Sequence, residues 1–143
     1  MKQIRLSIIS TIDPEDGGDP EEIVQEMEGR LIERDLESVL KYTEKPGTPD
    51  EVKTTVKAGE DEVTIIRQGM IAYRQRYHPG ETTICVVETP GGTSEMEVHT
   101  LSYRRERKGT HGRIQFSFRL AMACEPMGRY RLLIQWTEVP AQA

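Results

Sequence analysis

Residues 114–123 read Ile-Gln-Phe-Ser-Phe-Arg-Leu-Ala-Met-Ala, and residues 130–136 read Tyr-Arg-Leu-Leu-Ile-Gln-Trp. In the first run Ile114, Phe116, Phe118, Leu120 and Met122 alternate with Gln115, Ser117, Arg119, Ala121 and Ala123. In the second, Tyr130, Leu132, Ile134 and Trp136 fall on one phase. Successive side chains of a strand point to opposite faces, so each run predicts a strand with one buried face. Glu125-Pro126-Met127-Gly128 lies between them and reads as the turn of a long antiparallel hairpin with an aromatic-rich inner side.

The same grammar extends outward through the chain. Turn signals recur at Asp16-Gly17-Gly18-Asp19-Pro20, Lys45-Pro46-Gly47-Thr48-Pro49-Asp50, Ala58-Gly59-Glu60-Asp61, His78-Pro79-Gly80, Thr89-Pro90-Gly91-Gly92 and Lys108-Gly109-Thr110-His111-Gly112. Proline followed by glycine suits a type II turn, because proline presets φ at the second position and glycine accepts positive φ at the third. The segments between these signals predict strands over 2–13, 21–34, 36–44, 51–58, 62–69, 70–77, 82–88, 93–107, 112–123 and 128–138. Residues 21–34 are ambiguous. Ile23, Met27 and Leu31 fit helical spacing as well as period two, but Gly29 would cost about 1 kcal/mol inside a helix, which favours a strand that bends or bulges there.

About ten consecutive antiparallel strands form a meander, and a sheet that long curls and closes to remove its edges. The expected fold is all-β: one closed, antiparallel, up-and-down barrel of about 8–10 strands in one domain over residues 1–143. A barrel of that size is filled by side chains or holds one small ligand.

Composition agrees. The 143 residues suit one domain that can bury a real core without disulfides or metals. Charged residues make up 30%, which suits strands with one solvated face. No stretch approaches the ~20 apolar residues of a membrane helix. Met1-Lys2-Gln3-Ile4-Arg5-Leu6 reads as strand, not as a leader, so the expected setting is the cytoplasm. Of the two cysteines, Cys85 reads as a small hydrophobe within Ile84-Cys85-Val86-Val87, and a disulfide with Cys124 is not expected. The net charge of −5 is uneven: residues 1–66 carry 8 − 17 = −9 and residues 67–143 carry 11 − 7 = +4. Acidic and basic strands that neutralise each other side by side explain this; a basic face for an anion or nucleic acid is the competing explanation.

The strings Gly29-Arg30-Leu31, Leu40-Lys41-Tyr42-Thr43-Glu44, Thr54-Thr55-Val56-Lys57, Ile66-Arg67-Gln68-Gly69, the Glu88-Thr89-Pro90-Gly91-Gly92 turn and Phe118-Arg119-Leu120 follow one another in this order. In that order they resemble the YwiB-like family of bacterial proteins. The resemblance runs from about Arg5 to Glu138 and is most specific at 42–44, 67–69 and 88–90. It implies a calycin-type (lipocalin-like) β-barrel in a bacterial cytosol. It implies no activity, and a fold by itself does not supply one.

Three constellations are candidate sites. Leu36, Leu40, Tyr42 and Glu44 share a phase, as do Val63, Ile65 and Arg67, and Ile84, Val86 and Glu88. Glu44, Arg67 and Glu88 are therefore expected to point inward. Buried charges must be paired, so they form either an internal ionic plug or a mouth where Arg67 grips a carboxylate or phosphate. Second, Tyr73 and Tyr77 share a face with Ile71, and Phe116, Phe118, Tyr130 and Trp136 join them as a cavity lining or an ordinary core. Third, Tyr73-Arg74-Gln75-Arg76-Tyr77, Tyr103-Arg104-Arg105-Glu106-Arg107-Lys108 and Arg129-Tyr130-Arg131 interleave arginine with tyrosine. That pattern can hold a nucleic acid, but alternation places most of these arginines on a solvated outer face, and the acidic total charge disfavours nucleic acid.

No nucleophile elbow, phosphate loop, paired-carboxylate signature or metal-ligand spacing is present. His78 and His111 fall in turns and His99 opposes the inward phase of Val98. Glu44 and Glu88 could act as an acid–base pair only in principle. The leading expectation is a non-catalytic binding protein for a small molecule, with an anion as one candidate, held by Tyr42, Glu44, Arg67, Tyr73 and Glu88. It needs no cofactor, metal or membrane. The alternative is a protein- or RNA-interaction module on the basic outer strands; the oligomeric state is left open.

Overall fold

A computed structural model describes residues 1–140. Its elements are β1 (Lys2–Pro14), β2 (Glu21–Arg34), β3 (Glu37–Glu44), β4 (Val52–Ala58), β5 (Val63–Gly69), β6 (Tyr73–Tyr77), β7 (Thr82–Thr89), β8 (Gly92–Lys108), β9 (His111–Met122) and β10 (Glu125–Glu138). No described residue is helical, so the ambiguous segment 21–34 is a strand. All ten strands lie in one antiparallel sheet of order β6-β5-β4-β3-β2-β1-β10-β9-β8-β7. Each strand is hydrogen-bonded to its sequence neighbours, β1 and β10 also to each other, except that β6 and β7 share no ladder. The result is a nearly closed meander barrel.

The closing seam runs between β6 and β7. Among the described residues its only backbone bridge joins Ala72 and Glu88, with N···O distances of 2.9 and 2.8 Å. Side chains add to it: Gln75 Nε2 donates across the seam to Thr83 Oγ1 at 2.7 Å and, within β6, to the unpaired Arg76 carbonyl at 2.6 Å. A side-chain amide stands in for ladder bonds, because a buried donor needs an acceptor whichever atom supplies it.

The turns show where local chemistry and register compete. Gly47 and Gly80 take positive φ after their prolines, as expected for type II turns. After Pro90 the positive φ falls one residue later, at Gly92. The expected turn at Glu125-Pro126-Met127-Gly128 is displaced. The β9–β10 reversal is made by Ala123 and Cys124, with φ of 50° and 66°, and Met122 pairs directly with Glu125. Two left-handed residues give the tight hairpin whose twist matches the strands. The Pro-Gly chemistry instead marks an irregularity between Pro126 and Gly128, where Gly128 adopts φ 140°.

The interior divides into two halves. One is filled by Ile4, Leu31, Leu40, Val56, Ile114 and Phe116, all nearly inaccessible. Trp136 closes that end over Gly112, where any Cβ would collide with the indole. The irregularity between Thr100 and Ser102 turns Tyr103 and Arg105 toward the same end. There Tyr103 Oη donates to the Gly59 carbonyl at 2.6 Å, and Arg105 Nη1 to the Ala58 carbonyl at 2.9 Å. The other half is not filled.

That asymmetry follows from the β2–β3 pairing. The two strands pair only from Arg30–Lys41 to Arg34–Glu37. Beyond that point β3 leaves β2 and continues on β4 alone. Gly29 sits at the divergence: a Cβ there would lie 2.6 Å from Leu6 Cδ1 and 2.8 Å from the Lys41 carbonyl oxygen. The bend expected at this glycine is therefore a packing requirement, since the β1–β2 register runs through it unbroken.

Candidate functional site

The unfilled half holds a cavity of about 410 Å³, within the usual size of small-molecule sites. Its floor is an aromatic ladder. Tyr77 packs against Phe116 and Phe118 with centroids 4.7 and 4.8 Å apart, and Phe118 stacks on Tyr130 at 5.4 Å. Of the aromatics expected inside, Tyr73, Tyr77, Phe118 and Tyr130 line the cavity. Phe116 and Trp136 belong to the filled core. Isoleucine and leucine side chains from β1, β9 and β10, with Val87 of β7 and Val98 of β8, make the remaining wall largely apolar.

One charged pair interrupts this wall. Four adjacent strands set Tyr42, Thr54, Arg67 and Tyr73 in a single cross-strand row, through the pairs Tyr42–Thr54, Thr54–Arg67 and Arg67–Tyr73. Glu44 follows Tyr42 on the same face of β3. Arg67 Nη2 lies 2.8 Å from Glu44 Oε2, and Thr54 Oγ1 donates to the same oxygen at 2.9 Å. Both bonds use Oε2, which leaves Oε1 without a partner among the described residues. The Arg67 guanidinium also lies 5.7 Å from the centre of the Tyr73 ring, a cation–π distance.

The pair is only partly desolvated, with side-chain exposures of 22% for Arg67 and 17% for Glu44. Burial works against the Arg67 charge, but Tyr73 and Glu44 outweigh it and raise its pKa. Burial pushes the Tyr42 hydroxyl well above its ordinary range, with the Glu44 charge adding to the effect. Tyr73 is raised chiefly by burial, against the pull of Arg67. Both phenols are therefore neutral near pH 7 and can donate.

Four of the five candidate residues, Tyr42, Glu44, Arg67 and Tyr73, meet at this cavity. Glu88 does not. It is exposed, and the inward face of β7 carries Thr83, Cys85 and Val87 instead of Ile84, Val86 and Glu88. The run Ile84-Cys85-Val86-Val87 is apolar on both faces, so period two could not choose between them. Pairing with β8 decides: Cys85 lies opposite Met96 and Thr83 opposite Val98, both inward residues. Glu88 contributes only its backbone, at the seam. The Glu44–Glu88 acid–base pairing falls with it. Leu36 is likewise not inward; it is an exposed turn residue ahead of β3.

The candidate set omitted Thr54, Gln75 and Cys85, which also line the cavity. Thr54 and Gln75 share a phase with Val56 and Tyr77, so alternation could have found them; their polarity hid them. The arginines of the third constellation divide. Arg74, Arg76, Arg104, Arg129 and Arg131 are exposed on the outer face. Arg76 pairs with Glu81 at 2.6 Å and Glu62 at 3.5 Å, and Arg107 with Glu33 and Glu138, so basic and acidic strands do neutralise each other locally. Among the described residues, no three metal-ligating side chains converge.

Fold and site together define a nearly closed ten-stranded antiparallel β-barrel, filled at one end and hollow at the other, with one ion pair in the hollow's wall. The chain belongs to the DUF1934 family, described as a domain of unknown function, which matches residues 6–134. It is 29% identical over 139 residues to the "uncharacterized beta-barrel protein YwiB" of Bacillus subtilis (strain 168), covering 95% of this chain and 96% of that one. The crystal structure of the Bacillus subtilis ywiB protein superposes with a TM-score of 0.83 at 25% identity, covering 97% of this chain and 93% of the other.

Proposed function

We propose that this barrel is a non-catalytic binding protein for one small, mainly apolar molecule whose polar head meets Arg67 and Glu44. The observation that carries the reading is the half-filled interior: about 410 Å³ of space with a largely apolar wall and a single charged pair. A protein interior without a use for space packs it away, because each void forfeits dispersion contacts. The head group follows from the pair's balance. Arg67 is already answered by Glu44 through Nη2 alone, so a bare carboxylate or phosphate on its other N–H donors would set a second negative charge beside Glu44 with one cation to serve both. A neutral head that accepts from Arg67 and donates to Glu44 Oε1, such as an amide or hydroxyl, suits both. On this reading the barrel is calycin-like, a container for one small ligand. The cytoplasm is the setting we assign it, on the strength of two free cysteines, one of them exposed.

The competing reading, an interaction module on the basic outer strands, is weakened by the glutamates paired with Arg76 and Arg107. The test uses two fluorescent naphthalene probes: neutral N-phenyl-1-naphthylamine and anionic anilinonaphthalene sulfonate. The neutral probe should bind one per chain and be lost in Val98→Trp, which fills the floor, in a variant that still melts cooperatively. Absence of saturable binding by either probe, or equal binding to Val98→Trp, overturns the reading. Tighter binding of the anionic probe that depends on Arg67 restores the anion as the ligand class.

A further inference from the structure

The divergence of β3 from β2 leaves an open strand edge. Residues 21–28 of β2 bond to β1 on one side, and no other described backbone group bonds to them on the other. Eight residues span about 27 Å, long enough for a full strand to add. An unpaired edge is a template for another chain, and proteins usually blunt it with charged side chains, lysine above all, or with proline, a bulge or a covering segment. Here, among the described residues, the only such device is the charge of four glutamates, which repels some partners and attracts others. Residues 21–28 contain no proline or lysine, and their register with β1 has no irregularity. The strand also presents apolar side chains at the edge: Ile23 is 42% exposed at the cavity wall, and Val24 is 55% exposed on the outer side.

The charge of this edge selects the occupant. Glu21, Glu22, Glu26 and Glu28 are all exposed, and none forms an ion pair among the described residues. A second copy pairing β2 against β2 would bring these glutamates together, and like charges directly opposed across strands are destabilising. A basic segment would be drawn in and held. We infer that the open edge of β2 takes an extended segment of a partner protein, alternating lysine or arginine with β-branched residues, by strand addition. Main-chain bonds to residues 21–28 hold it, one face of the segment covers the cavity mouth beside Ile23 and Gln25, and its basic side chains meet Glu22 and Glu26. This inference rests on the edge and not on what fills the cavity.

The test is fluorescence anisotropy with a labelled eight-residue peptide alternating lysine with valine. Saturable one-to-one binding is expected, weakening as NaCl rises. Glu22→Lys with Glu26→Lys, both exposed positions, should weaken it at least tenfold without lowering the melting temperature. The same peptide N-methylated at its four central amides should not bind, and amide exchange should slow in residues 21–28 when the unmethylated peptide is present. Equal binding of the methylated peptide would mean mere charge adsorption and overturn the inference. No saturable binding at millimolar peptide, or protection confined to other strands, would do the same. A dimer that forms through residues 21–28 and excludes the peptide would replace the partner with a second copy and refute the charge argument.

Discussion

Replacing Arg67 with methionine removes one half of the pair in the cavity wall. Methionine keeps most of the side-chain volume, so the loss is electrostatic: Glu44 keeps only the hydroxyl of Thr54. An exposed pair would contribute about 0–1 kcal/mol, whereas breaking a fully buried one costs about 3–5 kcal/mol. With Arg67 22% and Glu44 17% exposed, the cost falls between these limits, at about 2 kcal/mol including the lost Tyr73 contact. For a chain of this size that lowers the melting temperature by about 4–8 °C. Adding Glu44→Gln to Arg67→Met removes the stranded carboxylate and should recover at least half the loss. Thermal and urea melts of the two single variants and the double variant close the cycle. Coupling of about 1 kcal/mol or more is expected; single effects that add within about 0.5 kcal/mol would refute the pairing argument. Glu88→Gln serves as the control. Its side chain is exposed, so it should change stability by less than about 0.5 kcal/mol.

The β9–β10 turn places Ala123 and Cys124 in left-handed conformations, so Ala123→Asn with Cys124→Gly should raise stability by roughly 1 kcal/mol, read from urea melts. Gly29→Ala should destabilise by about 1–3 kcal/mol, because its methyl meets the Lys41 carbonyl and Leu6; an unchanged melt would mean that β2 and β3 part differently. Burial raises the pKa of Tyr42, Tyr73 and Tyr77, and raises Tyr103 to about 12. Above pH ~10 the unfolded chain releases these protons before the folded one does, so the stability they lend is complete below pH ~10 and is lost as pH rises toward the folded values. Absorbance at 295 nm should show these four phenols ionising late and together with unfolding; ionisation of all five tyrosines near pH 10 in the folded protein would contradict their burial.

Most of the strand content and the meander were legible in the sequence, because period two is a property of one strand and needs no partner. Ile114, Phe116 and Phe118 declare their face alone, and turn residues recurring every strand length imply antiparallel neighbours. Tyr42, Glu44, Arg67 and Tyr73 could be assigned to the inner face for the same reason. Pairing decided the rest. Ile84-Cys85-Val86-Val87 is apolar in both phases, so only its register with Met96 and Val98 turned Glu88 outward. The reversal at Ala123 and Cys124 overrode the local turn chemistry of Pro126 and Gly128, since the Met122–Glu125 pairing sets the loop length. The hollow half and the open edge depend on where β3 leaves β2, a choice made by Gly29 against Lys41 and Leu6 across three strands. Alternation along a strand is local and survives in one dimension; phase between apolar faces, loop register and unfilled volume are relations between strands and exist only once the barrel is assembled.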